Sequence, residues 1–164
     1  MLAIHSLAFR MRSTLFIIGV LALIFGSIEY FAGRPDSIVH FQLYLSNVST
    51  APVVPDIFGS LGNYAPTFFH AFSFSLISIS LLTSWFTKEF LCIFWFFLDS
   101  LLELGQLIIT RSLVSKIIPD SLSANAVINS IVDFFEYGTY DSFDILSIFL
   151  GCLIAYLIGV FNTK

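Results

Sequence analysis

Eight residues of this chain can do chemistry: Glu29, His70, Asp99, Glu103, Gln106, Arg111, Asp141 and Asp144. Carboxyl groups and an imidazole move protons, an amide holds a substrate oxygen, and a guanidinium holds an anion. His70, Glu103 and Asp144 are the candidates for general acid–base catalysis. Gln106, Arg111, Asp99 and Glu29 are the candidates for binding the substrate, with Arg111 suited to a phosphate. On a helix that turns about 100° per residue, Asp99, Glu103, Gln106 and Thr110 fall within about 60° of one another. Carboxylates at i and i+4 repel unless a cation, a proton or a donor sits between them, and His70, Arg111 and a metal ion are the candidates for that part. The sequence contains no HExxH, no Walker loop, no Gly-x-Ser-x-Gly and no cysteine-based metal pattern. It therefore names no nucleophile, no cofactor and no metal motif, and it leaves open whether a metal ion sits between the carboxylates.

The elements that must position these residues follow from composition. The chain is 57% hydrophobic and only 11% charged, where soluble domains carry about 25% charged residues. Its mean hydropathy of +0.93 points to an all-α polytopic membrane protein forming one membrane domain over residues 1–164. Spans of about 20 residues are expected at 14–32, 66–86, 90–110 and 143–161. The first follows a basic segment with His5, Arg10 and Arg12 and reads as an uncleaved anchor, because its apolar run exceeds that of a signal peptide. The few residues around Thr87, Lys88 and Glu89 force spans two and three into an antiparallel hairpin. Residues 33–65 hold Pro35, Pro52, Pro55, Gly59 and Gly62 and read as turns and extended chain.

Residues 112–142 are expected to contain a short interfacial helix. Asp120 or Ser121 would cap it, Val127, Ile128, Ile131, Val132 and Phe135 would give its apolar face, and Gly138 would end it. Arg10, Arg12, Lys88 and Lys164 on one side put both termini in the cytoplasm and the two long loops outside. Cys92 and Cys152 lie within spans and read as small apolar residues. Tyr30, Tyr64, Trp85 and Tyr156 lie near span ends, as belt aromatics do. The net charge of −4 excludes nucleic acid as a partner. Membrane lipids are the expected surroundings, and the oligomeric state is left open.

Threading the four spans alternately brings the polar residues to one level near the outer face. Ionisable groups at such a depth are expensive and usually functional. Bland readings compete with this. Asp141 sits where an acid caps a helix, and Ser73, Ser80 and Ser84 suit close helix packing. Gly19, Ala22, Gly26 and Gly33 on the first span form a stripe that also calls for close packing, as do Ser147, Gly151 and Ala155 on the last. Glu29 flanks the first stripe and is expected to point into the bundle.

Three pieces of the chain resemble the VanZ-like family of small bacterial membrane proteins. They are Pro66-Thr67-Phe68-Phe69-His70-Ala71-Phe72, Glu103-Leu104-Gly105-Gln106, and Asp144 followed by Gly151. They occur in family order on successive spans and cover about residues 66–160. Ile148 stands where the family often has an asparagine, and Tyr137-Gly138-Thr139-Tyr140 where it often has an arginine. The resemblance implies a four-to-five-helix protein of the bacterial inner membrane with a link to glycopeptide resistance. Two functions stay open. One is action at the outer leaflet on a cell-envelope precursor or lipid-linked substrate. The other is a non-catalytic membrane module, for partner binding or assembly, whose polar cluster only locks helices together.

Overall fold

The computed structural model describes residues 2–32, 62–107, 128, 134–135 and 138–162, and within the first helix the side chains of residues 11–30. The described residues are helical with no strand. Four helices follow in order: α1 (Leu2–Ala32), α2 (Ala65–Leu82), α3 (Lys88–Leu104) and α4 (Ser142–Phe161). In three of them a stretch is long and apolar enough to cross a membrane, namely Met11–Tyr30, Ala65–Leu82 and Ser142–Phe161. By the length and composition of its helices the chain is an integral membrane protein.

Local chemistry sets the helix ends. Nothing between Leu2 and Ala32 breaks a helix, so α1 runs unbroken through the basic segment and starts well before the expected residue 14. Pro66 lies in the first turn of α2, where its missing N–H costs nothing. α2 stops at Leu82, short of the expected Phe86, and Trp85 and Phe86 return their N–H groups to Leu82 O in a tight turn. Thr87 then caps α3 by accepting a hydrogen bond from Phe90 N at 3.3 Å. α3 ends at Leu104 rather than Thr110, in a turn where Gln106 N bonds Glu103 O at 3.1 Å. Residues 108–110 lie outside the described residues. Asp141 caps α4, accepting from Phe143 N at 2.9 Å. Of the expected interfacial helix, Ile128, Phe134 and Phe135 are helical and the rest lies outside the described residues. Gly138 N bonds Phe134 O at 3.1 Å, the closing turn expected of a glycine there.

Partner residues across the helix pairs reveal the topology. α2 and α4 run parallel, since Tyr64 meets Asp141, Thr67 meets Asp144 and Ser75 meets Cys152 at one constant offset of 77. α1 is antiparallel to α2: Gly19 lies against Ser73 and Ile77, and Gly26 against Phe69. α3 is antiparallel to α2, with Asp99 near His70 and Trp95 Nε1 donating to Ser78 Oγ at 2.7 Å. α3 is also antiparallel to α4, with Glu103 beside Asp141, Phe96 beside Phe149 and Glu89 beside Tyr156. The bundle therefore alternates. The start of α1 and the end of α4 share one end, and Glu29, His70, Glu103 and Asp144 all lie toward the other.

α2 is the hub and packs on the other three helices. Its buried face is half serine: Ser73, Ser75, Ser78 and Ser80 all lie inside. Ser73 and Ser80 return their hydroxyls to their own helix, at Phe69 O and Ile77 O. Small side chains let the neighbours come close. A Cβ at Gly151 would lie 2.7 Å from Phe68 O and 3.0 Å from Phe72 N, so α4 touches the backbone of α2 there. Leu15, Leu76, Ile79 and Ile148 fill the remaining core. Cys92 and Cys152 are buried, free thiols. α3 is inverted relative to a soluble helix. Ile93, Phe94, Phe97 and Leu101 point outward, whereas Asp99, Ser100 and Glu103 are buried.

Candidate functional site

Tyr64 at the cap of α2 and Thr67 and His70 within it face three acids. Tyr64, Thr67 and His70 recur every third residue, which keeps them on one side of the helix where it enters the bundle. Tyr64 donates its hydroxyl to Asp141 Oδ2 at 3.0 Å, and Thr67 donates to Asp144 Oδ1 at 2.9 Å. His70 Nδ1 lies 3.3 Å from Asp99 Oδ2 and shares a hydrogen bond with it. The fourth acid, Glu103 on α3, accepts from Asp141 N through Oε1 at 3.3 Å. Three helices are thus tied together at one level by carboxyl groups.

The groups surround an open cavity of about 690 Å³. Asp99, Glu103, Asp141 and Asp144 line it together with His70 and Gln106. Leu23, Gly26, Ser27 and Tyr30 of α1 form another wall, and Phe134, Gly138 and Thr139 a further one. Gly138 allows the Gln106 amide to lie close, since a Cβ there would stand 2.5 Å from Gln106 Oε1. A ring contact backs His70 with Phe74 at 4.6 Å, and Phe74 stacks on Trp95 at 4.7 Å. That stack restricts where the imidazole can turn.

Exposure separates the two members of the His70–Asp99 pair. The imidazole is 46% exposed and Asp99 only 6%. Asp99 Oδ1 is buried and has no hydrogen-bond partner among the described residues. The hydrogen bond to Asp141 is the main cause that holds the Tyr64 phenol above its ordinary range, because a donated proton is harder to lose beside an acid.

Of the residues singled out in the sequence, His70, Asp99, Glu103, Gln106 and Asp144 come together around one cavity. Asp141 lines the cavity with them and also caps α4, the capping role expected of an acid there. Glu29 is buried at 5% exposure, as its flanking position implied, but it is not among the residues lining the cavity. Its Oε1 has no partner among the described residues. Arg111 lies outside the described residues. Sequence reasoning missed Tyr64 and Thr67 as parts of the site. Their spacing of three from each other and from His70 is the signal that could have found them. Among the described residues, no three of the His, Cys, Asp and Glu side chains stand close enough to hold a metal ion.

Comparison with known proteins returns no match to any family model, to any curated protein or to any solved structure.

Proposed function

We propose that this chain is a VanZ-like, four-span protein of the bacterial inner membrane that acts at the outer leaflet on a cell-envelope or lipid-linked substrate. Its link would be to glycopeptide resistance. The observation that carries the reading is the open cavity lined by His70, Asp99, Glu103 and Asp144. Cavities of a few hundred to about 1,000 Å³ with a few convergent polar groups are the usual form of a small-molecule site. α3 supports a fourth span, since its outward side chains are apolar and its polar ones are turned inward. The alternating topology supports both termini lying on one side. Arg10, Arg12 and Lys88 belong to that same end, which favours the cytoplasm.

Acid–base chemistry is the reaction type that the geometry favours. A buried carboxylate bonded to an exposed imidazole orients the ring. Asp99 fills that positioning role and His70 passes the proton. Glu103 or Asp144 serves as the second acid or base, and Gln106 contacts the substrate. A second reading has its own observation. The bonds of Thr67 to Asp144, Tyr64 to Asp141 and Asp141 to Glu103 lock three helices together, as a purely structural network would.

Charge-neutral variants separate the two. Glu103→Gln and Asp144→Asn keep shape and hydrogen-bonding reach but remove the charge and the proton-accepting role. On the catalytic reading both accumulate normally in the membrane and lose the effect on glycopeptide susceptibility. Full effect from a normally accumulating double variant would leave only the structural reading.

A further inference from the structure

The sign of the cavity tells which substrates it would accept. Four carboxyl groups line it, from Asp99, Glu103, Asp141 and Asp144, and among the described lining residues the single imidazole of His70 is the only basic group. Like charges gathered in a low-dielectric space favour whatever brings the opposite sign. Asp141, Asp144 and Asp99 are bonded to Tyr64, Thr67 and His70 in turn, yet Asp99 keeps Oδ1 without a partner among the described residues while being 94% removed from solvent. A buried carboxylate oxygen in that condition is costly unless something donates to it. Aromatic residues share the lining: Tyr30, Tyr64 and Phe134. Carboxylates interleaved with aromatic rings make the surroundings that hold ammonium groups, through charge pairing and cation–π attraction. A bare metal ion fits less well. No three ligand side chains among the described residues converge on one point, and the cavity is many times the size of an ion.

We infer that the cavity binds an ammonium-bearing substrate, with Asp99 Oδ1 and its neighbouring carboxylates receiving the N–H donors. The inference rests on the reading that the cavity is a ligand site, and it names the chemical class of the ligand. A protonated amine reaches such a site from two sources, a lipid headgroup of the ethanolamine type or a soluble amine. The positive charge and the donated hydrogen bonds are common to both. His70, half-exposed beside Asp99, lies where it can exchange a proton with an adjacent atom of the same molecule.

The test uses the full-length protein in lipid nanodiscs, with thermal unfolding as the readout, because a ligand of the folded state raises Tm. In one arm the disc lipid is phosphatidylglycerol and ethanolamine is titrated, with glycerol, inorganic phosphate and magnesium chloride as parallel probes. In the other arm phosphatidylethanolamine replaces the disc lipid. A saturable rise in Tm is expected with ethanolamine or in the phosphatidylethanolamine disc, and not with glycerol or phosphate. The arm that responds identifies the source. Asp99→Asn should weaken the apparent affinity at least tenfold. Asp144→Asn, on a different helix, gives the same comparison if Asp99→Asn does not fold. Equal responses to ethanolamine and glycerol, a larger response to phosphate or magnesium, or no response in either arm would overturn the inference. So would undiminished affinity in the folded variants. Its fate is separate from that of the acid–base reading. An ammonium response beside unchanged glycopeptide susceptibility in the Glu103 and Asp144 variants rejects the chemistry and keeps the site. The reverse result rejects the ammonium and keeps the chemistry.

Discussion

His70 and Asp99 behave as one unit, and the buried partner depends on the exposed one. Removing the imidazole takes the donor from Asp99 Oδ2, beside an Oδ1 that is buried and already has none among the described residues. His70→Ala is therefore expected to lose about 1–3 kcal/mol of stability, the usual penalty for stranding a buried polar group. The variant His70→Ala combined with Asp99→Leu should lose less than the two single losses added together, because both partners are then gone. Thermal unfolding in detergent of the two single variants and the double checks this. Strict additivity would mean that the pair is not coupled. This pair was partly legible in the sequence: an ionisable stripe on an apolar helix already calls for a partner, and His70 was one candidate beside Arg111 and a metal ion. The contributions of Tyr64 and Thr67 were not legible. A tyrosine at a span end reads equally well as a belt residue, and a threonine in a first turn reads as neutral. Only the register of α2 against α4, which is set by packing far from either residue, turns both hydroxyls toward acids.

That register is held by glycine at the helix contacts. Gly151 has backbone on the other side, so nothing can move aside for a methyl group without separating α2 from α4. Gly159 faces the end of the Ile79 side chain, 3.2 Å from where a Cβ would stand, and a rotamer change there makes room. Gly151→Ala should thus cost about 1–3 kcal/mol through overpacking, whereas Gly159→Ala should be nearly neutral. Because Thr67 and Asp144 lie one to two turns from Gly151 on the same helix pair, Gly151→Ala should also disturb the cavity. Paired melting curves of the two alanine variants are the measurement, and equal losses would show that the close approach does not set the register. The small-residue stripes could be read from spacing alone, because period is a local property. The helix ends could not be read as well. α2 and α3 both stop several residues short of where their apolar runs stop, since the turns at Trp85 and Gln106 satisfy backbone groups in ways that hydropathy does not encode.

At the scale of the whole molecule, the alternating bundle makes a demand that orientation alone does not. α1 and α3 end, and α2 and α4 begin, at the cavity end, so if all four helices cross the membrane, as proposed, both long connections start and finish on one side of it. On the proposed orientation, Arg10, Arg12 and Lys88 keep the opposite end in the cytoplasm, as short basic segments do. The all-helical, membrane-type architecture was legible because long apolar runs and one very short link leave few ways to thread the chain. The parallel contact of α2 with α4 was not, because nothing in the composition of either helix chooses its non-sequential neighbour. Reporter fusions after Phe58 and after Ser123 test both levels. Both should read as external. If the two reporters disagree, α3 does not complete its crossing and the bundle does not span the membrane four times. If both read as cytoplasmic, the bundle spans as described but is inverted, and the cavity opens toward the cell interior. An inverted cavity would then meet cytoplasmic amines rather than envelope precursors, and the proposed substrate would have to change with it.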